Sequence, residues 1–472
     1  MKAEILGLAL CLLLVSLVLA EDKPARLEPT LPRQRLEGWG TSLCWFANIL
    51  GQWPEPVRSQ LADALFGDKG LRLNIARYNF GGGDAPGHNH MRLGGQVPCF
   101  QPEPGVFDWK ADPGQRWFLQ AAKQLGANLF EAFANSPPWW MTESGCGAGA
   151  TDPTKDNLKP SEYERYTDFL IEAVRHFRDE EGIDFRTLEP FNEPRSDYWK
   201  EGGNQEGCHF DVATQSLLIP LLARKLTEAG LATEIAASDE TSIEHSLATW
   251  RELSPEAREA VAQVNTHAYW GWNRAALQAE VKPLGKRLWM SEYGGSVGAH
   301  DHDAMGSGLA LAQTIQWDLA DLGADAWVYW QAIENEAMCV RYNFNWGLLH
   351  ADFEHPEAGF AYTKAYWVMA QYSRFLRPGC ILISSGDPRT LAALDEETGK
   401  LILVAFNPEA TEVRRQFDLA AFSEIAPHAQ AFRTSATESL AALPKIPLEG
   451  SLLSLVLPAQ SVTTLLIRTS GW

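Results

Sequence analysis

Two glutamates stand where short apolar runs break into polar chain: Glu193 in "LEPFNEPRSDYW" and Glu292 in "RLWMSEYGG". A carboxyl group that keeps its proton, facing one that has lost it, is the pair that cleaves a glycosidic acetal. The first protonates the departing oxygen and the second stabilises or captures the oxocarbenium-like anomeric centre. A separation of ~5 Å implies retention of configuration and one nearer ~8 Å inversion. Phe191, Tyr198 and Trp199 surround Glu193 in sequence. Such company desolvates a carboxyl and keeps it protonated, so Glu193 is expected to be the acid. Its neighbour Asn192 offers an amide to a sugar 2-hydroxyl, and Pro194 fixes the exit of the chain. Glu292 is expected to be ionised, with Tyr293, His267 and Arg77 as donors that hold its pKa low and make it the nucleophile.

The chain has 60 acidic residues, so a single glutamate at the end of a strand means little. The pairing of "NEP" with "SEYG" at the ends of two comparable runs is what chance does not readily give. Asp239 and Glu240 form a weaker rival pair, because adjacent strand residues point to opposite faces. Glu131, inside its run, reads as a buried and paired structural residue.

Eight short apolar and β-branched runs must position these groups: "GWGTSLCW", "LRLNIARYNF", "ANLFEAFANS", "RTLEPFNEP", "TEIAASDE", "AQVNTHAYW", "RLWMSEYGG" and "DAWVYWQAI". Most are separated by stretches of helical pattern. "SEYERYTDFLIEAVRHFRDEEG" carries Tyr163, Tyr166, Phe169, Leu170, Ala173 and Phe177 on one stripe, with Ser161 and Glu164 as a capping box. "DVATQSLLIPLLARKLTEAG" begins at Asp211 and stops at Gly230. Strand–helix alternation of this kind predicts an α/β fold, a (β/α)8 TIM barrel, with chemistry at the carboxyl ends of the strands. Arg77, Asn135, Asn192, Glu193, Asp239, Glu240, His267, Tyr269, Glu292, Trp330 and Gln331 end those runs. His267 and Tyr269 share a face of the sixth run and, with Arg77, Asn135 and Asn192, are expected to meet substrate. Trp139, Trp140 and Trp330 offer aromatic planes to sugar C–H groups, with ordinary packing expected of at least one of Trp139 and Trp140. Beyond residue 375 the runs "LILVAFN" and "SLLSLVLPAQSVTTLLI" have no helical crossover and predict a side antiparallel β-sandwich, completed by the segment from Arg26 to Leu36. The expected division is 1–20 leader, 37–374 barrel, and 21–36 plus 375–472 sandwich.

The first twenty residues read as a secretory signal, with Val18 and Ala20 before the cleavage point. Their apolar run is short for a span of roughly 20 residues. A secreted or extracytoplasmic protein is therefore expected, with no membrane attachment after signal removal. The net charge of -20 disfavours nucleic acid, anionic membranes and polyanionic substrates. A neutral partner fits better, and the 18 tryptophans, several of them in Gly- or Pro-rich loops, favour a sugar. Outside the leader there are six cysteines, Cys44, Cys99, Cys146, Cys208, Cys339 and Cys380, which permit disulfides; no CxxC pair or Cys/His spacing suggests zinc, and no metal site is expected.

With "FNEP" on run four, "SEYG" on run seven and a side sandwich, the sequence resembles glycoside hydrolase family 30. The resemblance implies retaining hydrolysis, Glu193 as acid/base, Glu292 as nucleophile, and no metal or organic cofactor. "FANSPPWWMTESGCGAG" and "GGNQEGCHF" are similar to the endo-β-1,6-galactanase branch, which implies a neutral polysaccharide substrate, the β-1,6-linked galactan side chains of arabinogalactan, and a monomeric enzyme. Cys146 and Cys208 lie in these two stretches and are expected to pair. The alternatives are a β-1,6-glucanase, a xylanase or a glucosylceramidase of the same family and, in another class, a secreted carbohydrate-binding protein without catalysis.

Overall fold

The computed structural model describes residues 23–470, so the expected signal sequence lies outside the described residues. Each of the eight runs forms one strand: β1 Gly38–Ser42, β2 Ile75–Asn79, β3 Leu129–Phe133, β4 Thr187–Glu189, β5 Glu234–Glu240, β6 Val261–His267, β7 Arg287–Tyr293 and β8 Ala326–Gln331. Neighbours pair in parallel and β8 pairs with β1, which closes the barrel. Parallel neighbours need crossovers, which cover the outer face and explain why β1 and β2 are buried at every position.

The main crossover helices are α1 Glu55–Phe66, α2 Pro113–Gln124, α3 Tyr163–Glu181, α4 Val212–Glu228, α5 Ile243–Glu252, α6 Arg274–Val281 and α7 Gly306–Ala320. On α3 the stripe Tyr166, Phe169, Leu170, Ala173 and Phe177 is buried, and Gly182 caps the end with φ 64°, a conformation that costs other residues more. The expected capping box does not form. A 3-10 turn, Pro160–Glu162, leads into α3, and its N-terminus has no side-chain cap.

The barrel interior is unusually polar for a position that aliphatic side chains normally fill. Arg77, Glu131, Glu189, Asp239, Gln263, Asn265 and His267 are all buried. Glu131 accepts from Thr187 (2.6 Å), Gln263 (2.7 Å) and Asn265 (3.0 Å), the satisfaction a buried carboxylate requires. The lower end is closed by Trp289, whose indole donates to Glu37 at 2.6 Å beneath the Arg186 guanidinium.

A further helix, α8 Lys364–Ser373, links the barrel to the antiparallel part. One sheet runs in the order 28–35, 381–384, 390–395, 400–407, 461–470, 428–435, 438–447, and a smaller one joins 25–26, 413–418 and 452–457. Leu403, Phe417, Leu453 and Leu465 pack between them. Gln371 of α8 donates to Thr434 at 3.0 Å and accepts, through its backbone oxygen, from Thr464 at 2.8 Å. Among the described residues no helix is long and apolar enough to cross a membrane.

Candidate active site

Glu193 stands just beyond β4, with φ 50°. This left-handed backbone is strained for a residue with a Cβ, and such strain persists where surrounding contacts over-determine the position. Two contacts do so here: Glu193 N donates to Asp239 O at 2.9 Å, and the Trp199 indole donates to Glu193 O at 3.0 Å. The carboxyl accepts from Tyr198 on Oε2 and lies 3.0 Å from His267 Nδ1 through Oε1.

Glu292, near the end of β7, accepts from Arg77 at 2.9 Å on Oε2 and from Tyr269 at 2.9 Å on Oε1. His267 Nδ1 lies 3.6 Å from Glu292 Oε1, so one imidazole sits between the two glutamates. A carboxylate oxygen of Glu193 lies within 4.8 Å of one of Glu292. The two side chains therefore share one gap at the carboxyl end of the barrel.

Beneath them Arg77 organises the charge. It contacts Asp239 directly, donates to Ser42 at 3.0 Å and to Asn192 at 3.2 Å, and lies 3.5 Å from the Phe133 ring centroid. Burial opposes its charge, but Asp239, Glu292 and Glu131 outweigh burial and raise its pKa. Burial also acts against a charged His267; Glu292 and Asp239 overcome it and carry the imidazole up to about 10, so it is a cation at neutral pH. Its Nε2 lies 3.0 Å from Asp239 Oδ1, an ion-pair contact off the hydrogen-bond direction. The Tyr269 phenol is raised by burial and by Glu292, and that of Tyr198 by burial and by Glu193, so both remain donors.

Glu292 departs from the sequence expectation. Burial raises its pKa to about 7; His267 and Arg77 pull it down, while Glu193 and Asp239 add to the rise. Its phenolic donor is Tyr269 rather than Tyr293, because neighbours on a strand alternate faces. The Tyr293 ring packs instead on Trp327 at 6.0 Å. Asp239 belongs to the site, but as the partner of Arg77 and His267 rather than as an acid with Glu240. Glu240 points outward to Thr249 (2.7 Å) and the Arg195 backbone (3.2 Å).

A cleft of about 360 Å³ opens above the glutamates, lined by Asn192, Tyr269, Trp330, Gln331 and both carboxyls. Arg77 and His267, expected to touch substrate, are fully buried below its surface. Asn135 is also buried, with its amide on Cys44 Sγ at 3.8 Å. Trp139 lies off the lining, in a 3-10 turn with Trp140, whose indole donates to Gln101 O at 2.8 Å. Sequence reasoning missed Arg92, Trp270, Glu334 and Trp346, all of which line the cleft. "HAYWGW" and "NFNWG" carried the signal for the two indoles, an aromatic in a Gly-containing loop after a barrel strand. Gly294 makes room for Trp346: a Cβ there would lie 2.6 Å from the indole.

All six cysteines among the described residues are free and buried, so the expected Cys146–Cys208 disulfide is absent. Their sulfurs have different neighbours. Cys146 Sγ lies 3.6 Å from His90 and 4.0 Å from Asp84, whereas Cys208 Sγ faces the His209 carbonyl at 3.5 Å.

Two carboxyl groups facing across one aromatic-lined gap at the top of a (β/α)8 barrel define a glycoside hydrolase. Residues 22–269 match the model of O-Glycosyl hydrolase family 30, and the chain belongs to that family. It is 34% identical over 426 residues to an endo-β-1,6-galactanase of Hypocrea rufa, an alignment covering 84% of each chain. It is 26% identical over 434 residues to an exo-β-1,6-galactobiohydrolase of Bifidobacterium longum subsp. longum, covering 68% of this chain and 28% of that one. Among solved structures, a conserved exported protein from Bacteroides fragilis superposes with a TM-score of 0.79 at 22% identity, over 93% of this chain and 99% of that one. The catalytic domain of a family 30 xylanase C from Talaromyces cellulolyticus gives 0.74 at 21% identity, over 94% and 99%.

Proposed function

We propose that this chain is a secreted, retaining endo-β-1,6-galactanase that cleaves the galactan side chains of arabinogalactan. The mechanism rests on one observation, the approach of Glu193 and Glu292 oxygens to within 4.8 Å. That spacing is near the ~5 Å of a retaining pair and suits a covalent glycosyl-enzyme. Glu292, held by Arg77 and Tyr269, attacks the anomeric carbon while Glu193 gives its proton to the leaving oxygen. Glu193 then takes a proton from the water that releases the sugar. Asn192 already offers its carbonyl oxygen to Arg77, which leaves its NH2 for the sugar 2-hydroxyl. Arg77 and His267 act below the cleft as positioning residues for the carboxyl pair.

The substrate reading draws support from the likeness to the Hypocrea rufa enzyme. Galactose and glucose differ at one hydroxyl, so the test is a panel assay on de-arabinosylated arabinogalactan, β-1,6-glucan and xylan. Fast release of galacto-oligosaccharides from the first alone is expected. Activity confined to glucan or xylan, or binding without turnover, would contradict the reading.

A further inference from the structure

The loops after β7 and β8 meet beside the cleft in a cluster that the hydrolytic pair does not use. His300 and His302 come from the loop after β7, Glu336 from the first turn of the helix Glu336–Tyr342, and His350 from the strand Leu349–Ala351. One nitrogen or oxygen from each lies within 4.8 Å of the others. His300 Nε2 is 3.1 Å from Glu336 Oε1, and His302 Nε2 is 3.2 Å from Glu336 Oε2. His350 Nδ1 is 2.9 Å from Glu336 Oε2 and 3.1 Å from His302 Nε2.

Hydrogen bonding alone does not account for this convergence. His350 Nε2 lies 2.6 Å from the Trp346 carbonyl, which accepts only, so the ring hydrogen belongs on Nε2. Nδ1 then turns a lone pair toward both the Glu336 carboxylate and the His302 ring. A ring nitrogen anchored to a backbone carbonyl while the other faces a carboxylate and further imidazoles is the arrangement of a metal-ligating histidine. Ligands about 2.05 Å from a tetrahedral zinc stand about 3.3 Å apart, close to the spacings here. Three imidazoles and one carboxylate suit zinc rather than calcium or magnesium. Cys339 Sγ lies on the far side, 3.8 Å from His350 Nε2.

We propose that His300, His302, Glu336 and His350 form a divalent-metal site, zinc by its donor set, that ties the loop after β7 to the loop carrying Trp346. The His302 and Glu336 side chains are 30% and 28% exposed, which gives the ion a way in. The ion would fix the Trp346 backbone through His350 and so hold one wall of the sugar cleft.

Chain purified without a histidine tag, stripped by a chelator and dialysed against zinc, is compared with His302→Gln and Glu336→Gln by elemental analysis. Each variant is expected to retain about one equivalent less than the wild type. Cobalt should give the wild type the visible band of a tetrahedral site and the variants none. Equal zinc in the wild type and folded variants would overturn the proposal. Should neither variant fold, His300→Gln at the rim takes their place, and absence of the cobalt band in the wild type would alone be decisive against the site.

Discussion

Glu193 and Glu292 are both nearly shut off from solvent, with side chains 8% and 4% exposed, yet their donors differ. Glu292 has a guanidinium and a phenol at hydrogen-bond distance, whereas Glu193 has a phenol and an imidazole. Burial, unseen in the sequence, still lifts Glu292 from 4.5 to about 7. As the proposed nucleophile Glu292 must be ionised, so kcat/KM is expected to fall as pH drops through that value. A pH profile on galacto-oligosaccharide is expected to show an acid limb with its midpoint between 4.5 and about 7. A midpoint below 4.5 would mean that the donors outweigh burial. The two glutamates were legible because each ends an apolar run within a distinctive motif. Tyr269 and Tyr293 were confused because both lie near the glutamate in sequence or space, and only strand alternation separates their faces.

At the scale of elements, strands deliver the carboxyls and loops shape what binds them. All eight strands were legible because each is a short run rich in apolar and β-branched residues and most are set apart by stretches of helical pattern, even though several carry buried polar groups. The cleft's second wall was not, because the loop after β8 has no periodicity to read. Trp346 lies 6.2 Å from the Tyr269 ring and closes over Gly294, which places an aromatic plane in the same cleft as the two carboxyls. Removing such a face costs about 1–2 kcal/mol of binding, or roughly a tenfold rise in KM. Trp346→Ala is therefore expected to raise KM on galacto-oligosaccharides by that factor with kcat largely kept. An unchanged KM would place the sugar elsewhere. The histidine cluster was invisible for a related reason: its residues come from three elements, so no sequence spacing marks them. The capping box of α3 failed differently, since Pro160 began a tight turn before Ser161 could cap.

At the scale of the molecule, the side sandwich is fastened to the barrel through α8, nine of whose ten residues are buried. The Trp39 indole of β1 donates to Leu376 O at 2.6 Å, and Lys364 donates to Glu438 O at 3.2 Å. Neither part can unfold without exposing that helix, so calorimetry is expected to show one transition with matching calorimetric and van't Hoff enthalpies. Two separated transitions would show that the interface couples them weakly. The antiparallel part was legible in outline because its strands lack intervening helices; the clasp was not, because the contacts of Gln371 with Thr434 and Thr464 join residues far apart in the chain.

In the proposed mechanism two glutamates act in turn on one anomeric carbon. Proton NMR of the first product released from a β-1,6-galacto-oligosaccharide tests this directly, before mutarotation mixes the anomers. The β-anomer is expected first, as double displacement at Glu292 requires; the α-anomer first would contradict the mechanism.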